Sequence, residues 1–331
     1  MKYFKSFSDK IKTGQVGDFE GTTLELFRYQ AEKNPVYRSY IKARGVDAKG
    51  IKRIVDIPFL PVSFFKTHQV VTGTSADFPV VYTSSGTTGT VNSRHYVWSE
   101  DFYLAHAARV FEAHYGSLDQ YHVLALLPSY LERQGSSLVA MVDHFIKKSQ
   151  SAESGFYLYD HEALLEKLDR LREGQKKILL IGVTFALLDL AEKAARLPAN
   201  PNLIIMETGG MKGRRREMIR EEVHDVLKSA FGAEQIHSEY GMTEMMSQAY
   251  SKGEGIYTKS AWVGVYIRDT HDPFNLESRK SGGINVVDLA NFHSCAFIET
   301  QDLGTVHADG SFKVLGRMDN SEIRGCNLMA N

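Results

Sequence analysis

Four short stretches of this chain hold residues able to do chemistry. The first, Ser84-Ser85-Gly86-Thr87-Thr88-Gly89, lies between two runs of strand character. Its small residues let backbone N–H groups come close to an anion and its hydroxyls add donors, so the loop suits a polyphosphate. It is not a Walker loop, because no Gly-Lys-Ser/Thr follows and no helix begins there. A plain Ser/Thr-rich hairpin has the same composition. The other three stretches are Tyr240-Gly241-Met242-Thr243-Glu244, Glu299-Thr300-Gln301-Asp302-Leu303-Gly304 and Gly316-Arg317-Met318-Asp319. Taken singly, Tyr240 also reads as a core aromatic and Glu244 as an acid favoured at a helix N-terminus. Asp302 and Arg317 likewise read as surface charges. Cys326 follows Arg324, and a neighbouring positive charge favours the thiolate. Its place near Asn331 suits a mobile carrier, although a free cysteine also packs well as a small hydrophobe. Cys295, between Ser294 and Ala296 in an apolar run, reads as core.

The elements that must position these residues follow from periodicity and breakers. Residues 18–45 show helical spacing interrupted at Pro35, and Pro58 and Pro61 break the next segment. Strands are predicted at 80–83 and 95–98 on either side of the first loop. Ser99 caps a helix running to about residue 114. Then follow a strand at 123–127, helices at 136–147 and 162–172, a strand at 178–181, a helix at 185–196 and a strand at 203–206. The glycine turn Gly209-Gly210, a helix over 215–231 and a strand at 235–239 complete the alternation. This pattern predicts an α/β fold with a mostly parallel sheet. Beyond residue 255 short strands and turns predict a smaller β-rich portion. The expected divisions are 1–75, mostly helical and packed on the core; 76–255, the α/β core; and 256–331, the β-rich part.

The bulk properties exclude several classes. Lys plus Arg number 39 against 40 for Asp plus Glu, so no chain-wide field attracts nucleic acid or anionic membrane. The basic run from Lys212 to Arg216 is too short to alter that. No stretch approaches the ~20 apolar residues of a membrane span, and the polar first residues do not form a signal peptide. With 2 cysteines in 331 residues, a secreted disulfide framework is not expected, and a reducing cytoplasm is. The His and Cys residues show no zinc spacing.

In this order and at these separations, the four stretches resemble the AMP-binding superfamily of acyl-CoA synthetases, peptide-synthetase adenylation domains and luciferases. The family pattern is S-G-T-T-G, Y-G-x-T-E, T-G-D and G-R-x-D; Gln301 stands where T-G-D has its glycine. Pro128 to Gly135 matches the family's L-P-x-x-H segment loosely. The resemblance implies activation of a carboxylic acid by Mg-ATP to an acyl-AMP, and it assigns roles. Ser85, Thr87 and Thr88, with Gly86 and Gly89 in the same loop, would contact the ATP phosphates. Tyr240 would stack on adenine, with Gly209 and Gly210 lining that face. Thr243 would bind phosphate and Glu244 would hold Mg²⁺. Asp302 and Arg317 would reach the ribose, a carboxylate being able to accept two hydroxyl hydrogen bonds.

Two departures narrow the resemblance. The Pro-Lys that usually follows the phosphate loop is replaced by Val91-Asn92, with Arg94 two residues on as a substitute cation. The chain also stops at Asn331, where most relatives begin a roughly hundred-residue C-terminal domain carrying a catalytic lysine. In this second respect the chain is similar to the acyl-protein synthetases of the LuxE kind, the synthetase component of fatty-acid reductase in luminous bacteria, which are comparably short. Those proteins share the S-S-G-T-T-G loop and pass the acyl group to a cysteine near the C-terminus, here Cys326. The similarity implies a fatty or related carboxylic acid as substrate and an acyl-acceptor or reductase protein as partner. Two alternatives stay open: an acyl- or aryl-CoA ligase using a separate C-terminal domain, and a non-catalytic nucleotide-binding subunit.

Overall fold

Pro35 divides the first helical run as its missing N–H requires. Helix α1 (Lys2–Lys12) and α2 (Phe19–Lys33) precede it, and α3 (Pro35–Ala43) begins on it, with Asn34 closing one helix and capping the next. The computed structural model describes residues 2–14, 17–74, 78–84, 91–127, 135–157, 160–194, 196–209, 218–276 and 281–318. Strand β1 (Leu60–Pro61) and the short helix α4 (Phe64–Thr67) follow. Then β2 (Val80–Thr83) pairs antiparallel with β3 (Arg94–Val97).

Next come α5 (Glu100–Tyr115), capped by Ser99, and β4 (Tyr121–Leu126). After them lie α6 (Ser137–Ser149), β5 (Gly155–Phe156), α7 (His161–Leu171), β6 (Lys177–Val183) and α8 (Thr184–Lys193). Strand β7 (Leu203–Thr208), helix α9 (Arg220–Phe231) and β8 (His237–Tyr240) complete this half. Strands β4, β6, β7 and β8 run parallel, and β4 and β6 are almost wholly buried, as a sheet covered by helices on both faces requires.

At β8 the sheet changes character. Strand β9 (Ala249–Ser251) pairs antiparallel with it, followed by β10 (Ile256–Lys259), β11 (Val263–Arg268), β12 (Ser281–Asp288), β13 (Phe297–Val306) and β14 (Phe312–Arg317). Among the described residues one 12-stranded sheet results, ordered β11-β12-β13-β14-β10-β9-β8-β7-β6-β4-β5, with β1 against β13. The layered α/β fold and the β-rich end are therefore both present, joined by a single sheet. No described helix is long and apolar enough to cross a membrane.

The first helices are built into the sheet's support rather than laid beside it. The Gln30 amide donates to the carbonyls of Asn291, Phe292 and Ser294, while its oxygen accepts from the Ala296 N–H. Asn34 and Thr72 also donate to the Ser294 carbonyl. Phe4 and Phe7 pack on Phe292. The loop between β12 and β13 is thus held by residues more than two hundred positions earlier.

Candidate functional site

The turn from parallel to antiparallel pairing carries the Tyr240-Gly241-Met242-Thr243-Glu244 stretch. Side chains alternate along β8, so Ser238 and Tyr240 share one face while His237 and Glu239 share the other. The Tyr240 ring meets Tyr257 at 5.9 Å and Phe312 at 5.6 Å. Its hydroxyl donates to Asp302 Oδ2 at 2.8 Å, across 62 residues of sequence. Asp302 on β13 stands opposite Arg317 on β14, whose Nε lies 3.8 Å from Asp302 Oδ1. Three of the sequence-predicted residues therefore form one cluster. Burial raises the Asp302 carboxyl, opposed by the Tyr240 hydrogen bond and by the charges of Arg317 and Arg268. Gly209 follows β7 in a left-handed conformation (φ 76°), level with Tyr240 because Thr208 pairs with Glu239.

Behind Asp302, the buried Arg268 donates to the carbonyls of Ile284 and Thr300 and to Asn285 Oδ1. Its guanidinium lies on Gly283, where any side chain would collide with it. The β12–β13 ladder shifts register between Gly283 and Asn285, opposite the part of β13 that carries Asp302, and Arg268 spans that irregularity.

The Thr243–Glu244 backbone is clamped from a direction the sequence did not disclose. His95 on β3 contacts the Thr243 carbonyl through Nδ1 at 2.8 Å and Asn291 Oδ1 through Nε2 at 3.0 Å. Asn291 Nδ2 donates to the carbonyls of Glu244 and Cys295, which orients its oxygen toward His95. Burial pushes the His95 ring down to about 4, so at neutral pH it donates through one nitrogen only. Both contacts are to oxygens, so that single proton serves one of the two. Two residues on, Asp288 accepts from the N–H groups of Met246, Ser247 and Ala290 and from the Ser247 hydroxyl. Burial raises this carboxyl while those four bonds oppose the shift.

Glu244 itself is only 6% exposed, and it is not at a helix N-terminus: a turn and β9 follow. Burial raises its pKa, against a hydrogen bond from Ser93 and the charges of Arg317 and Lys66. Ser93 also accepts at its carbonyl from the Ser84 N–H and donates its own N–H to Ser84 Oγ. The stem of the Ser84–Ser93 loop is thereby tied to Glu244. Ser85, Gly86, Thr87, Thr88, Gly89, Gly210 and Cys326 lie outside the described residues. Arg94 is exposed at the start of β3. Cys295 is fully buried with its thiol pushed up to about 12, a core residue as its apolar run predicts.

Residues 129–331 match the family model described as "Acyl-protein synthetase, LuxE". The chain belongs to this family. No curated protein matches it. Among solved structures it resembles ATP-bound MatB from Rhodopseudomonas palustris, with TM-score 0.54 and 16% identity over 74% of this chain and 49% of that one. It also resembles 2-hydroxyisobutyryl-CoA ligase in its postadenylation state, with TM-score 0.67 and 15% identity over 91% of this chain and 67% of that one. O-succinylbenzoate coenzyme A synthetase (MenE) from Bacillus subtilis, in complex with AMP, gives 0.52 and 19% over 74% and 50%. The LuxE-family chain thus spans about half the length of MatB and MenE, and at these identities the likeness shows the fold alone.

Proposed function

We propose that this protein is an AMP-forming acid-activating enzyme that passes the activated acyl group to a protein cysteine. The carrying observation is the Tyr240–Asp302–Arg317 cluster beside Glu244, assembled from three distant stretches. Family membership supports the acyl-protein synthetase reading, and MatB and MenE, of like fold, were solved with ATP or AMP bound.

In this reading the adenine stacks on Tyr240 near Gly209 and Gly210, and the ribose hydroxyls bond to Asp302 and Arg317. The loop residues Ser85, Gly86, Thr87, Thr88 and Gly89, together with Thr243, hold the phosphates. A fatty or related acid's carboxylate oxygen attacks the α-phosphorus and pyrophosphate leaves. The Cys326 thiolate then attacks the acyl carbonyl, AMP leaves, and the acyl group goes on to an acceptor or reductase protein. Among the described residues no group of three or more His, Cys, Asp or Glu is arranged to hold a metal. Glu244 fits a Mg²⁺ that takes its other ligands from phosphate and water. Bound there, the ion neutralises charge developing on phosphoryl oxygens. A reducing cytoplasm suits a thiol carrier of this kind.

The test is incubation of pure protein with Mg-ATP and fatty acids of several lengths, read by intact mass for wild type and Cys326→Ala. An acyl adduct on wild type alone supports the full reading. Pyrophosphate release without an adduct keeps adenylation and favours the coenzyme A ligase alternative. Neither signal would leave a nucleotide-binding subunit.

A further inference from the structure

Glu239 takes no part in the cluster above, and its surroundings are unusual for a carboxylate. It is 7% exposed, and its hydrogen-bond partner among the described residues is the hydroxyl of Thr208. Its Oε1 lies against the backbone of Gly241, where an added side chain would collide with it, and the Gln248 stem closes on the same point. Gln248 Oε1 and the Tyr250 hydroxyl are both buried without a hydrogen-bond partner among the described residues. Tyr250 is the ladder partner of Glu239, so the two project from the same face. The Glu239 charge also acts on Tyr103 of α5 and on Tyr250. Buried polar groups left unpaired are costly, and a cluster of them points to a polar occupant.

The place of this cluster says what the occupant is. Tyr240, which bonds Asp302, points to the opposite face of β8 from Glu239, and the Thr243–Glu244 stretch follows just beyond the strand's end. A nucleotide on the Tyr240 side with its phosphates at the turn leaves the Glu239 side for the acid. Glu239 rests on Gly241, two residues before Thr243, a span of at most ~7 Å of extended chain. Whatever meets Glu239 is therefore only a few bonds from the reacting carboxyl.

We propose that Glu239, with Gln248 and Tyr250, recognises a hydrogen-bond donor, a hydroxyl or an amine, carried on the second or third carbon of the acid. The preferred substrate is then a 2- or 3-substituted carboxylic acid and not a plain alkanoic acid. This inference rests on the adenylation reading above and narrows its substrate class. Burial lifts the Glu239 carboxyl to about 7, so it is half ionised at neutral pH and becomes a full carboxylate acceptor, suited to an ammonium, as pH rises above that.

The test is pyrophosphate release by the full chain with Mg-ATP, over matched unsubstituted, 2-hydroxy, 3-hydroxy and 2-amino acids of short, medium and long chain. The readout is the ratio of kcat/KM for substituted over unsubstituted acid, which does not depend on how much of a variant folds. For wild type a ratio of about 100 or more is expected, since a site built around a buried acceptor rejects analogues lacking the donor. Glu239→Gln should keep the hydroxyl preference and lose the amine preference; Glu239→Leu should bring the ratio to about 1 or below. A wild-type ratio near unity, or one that Glu239→Leu leaves unchanged, means the cluster holds only structural water and overturns the inference while adenylation stands. Release with none of the acids would instead remove the adenylation reading, and the inference with it.

Discussion

The Tyr240–Glu244 turn and the Asp302–Arg317 pair meet at the Tyr240–Asp302 hydrogen bond but are held in opposite ways. The turn is gripped by side chains: His95 and Asn291 on its carbonyls, Asp288 on the amides just beyond it. Those grips depend in turn on Gln30, Asn34 and Thr72, which fix the loop carrying Asn291. Asp302 and Arg317 are instead set by strand register and by Arg268 behind them, and the Arg317 side chain is 77% exposed. Rigid, buried polar networks make geometry expensive to disturb. A ladder-borne, exposed cation can be altered at little structural cost. The comparison predicts that substitutions in the first region damage folding and activity together, whereas those in the second affect binding alone.

Asp288→Ala is the largest expected break. It leaves three backbone N–H groups and the Ser247 hydroxyl without their buried acceptor. Each such loss costs about 1–3 kcal/mol, so urea denaturation should show a destabilisation of about 4 kcal/mol or more. A loss below about 1 kcal/mol would mean that the turn is held by its own chain.

Glu239 gives the next effect, seen in pH dependence. Its folded pKa of about 7 lies above its unfolded value near 4.5, so between these the folded state binds the extra proton. Stability from this group is present below about 4.5 and is lost as pH rises through about 7. The neutral buried histidines act oppositely: His95 and His237, held near 4, lose stability as pH falls below about 6.5. The contribution must therefore be read as a difference. Relative to Glu239→Gln, wild type should lose on the order of 3 kcal/mol from pH 4.5 to 7. Parallel stability curves for the two proteins would contradict the assigned shift.

Which parts were legible in the sequence follows from what each depends on. The break at Pro35 and the helix start at Ser99 were readable because a proline or a cap acts locally. So were the strands, although β8 reaches Tyr240 and β3 starts at Arg94, each shifted by a residue or two from the periodicity. The Tyr240–Asp302–Arg317 cluster was legible through motif order, not through any local pattern. His95, Asn291 and Asp288 were not, since their role depends on tertiary contacts 41 to 196 residues away. Glu239 did leave a signal: an acid inside a strand of the covered sheet needs an explanation.

His95→Leu probes the grip itself. It removes the ring's contacts to the Thr243 carbonyl and to Asn291 Oδ1, with an expected loss of about 2 kcal/mol. Because Thr243 is then free to shift, kcat for pyrophosphate release should fall more than tenfold in protein that remains folded, and His95→Gln should recover part of it. Equal kcat in folded His95→Leu would make the residue a packing element only.

Arg317→Ala is the smallest structural change and the sharpest discriminator between the two regions. The ion pair is largely exposed, so its removal should move stability by less than about 0.5 kcal/mol. If the guanidinium holds the nucleotide, KM for ATP should nonetheless rise about tenfold, roughly the worth of one charge-assisted hydrogen bond, with kcat changed much less. Should stability fall as far as for His95→Leu, the distinction between a gripped turn and a ladder-borne rim would collapse. Should KM stay constant, Arg317 would be a surface charge, and Asp302 with Tyr240 would have to bind the ribose without it.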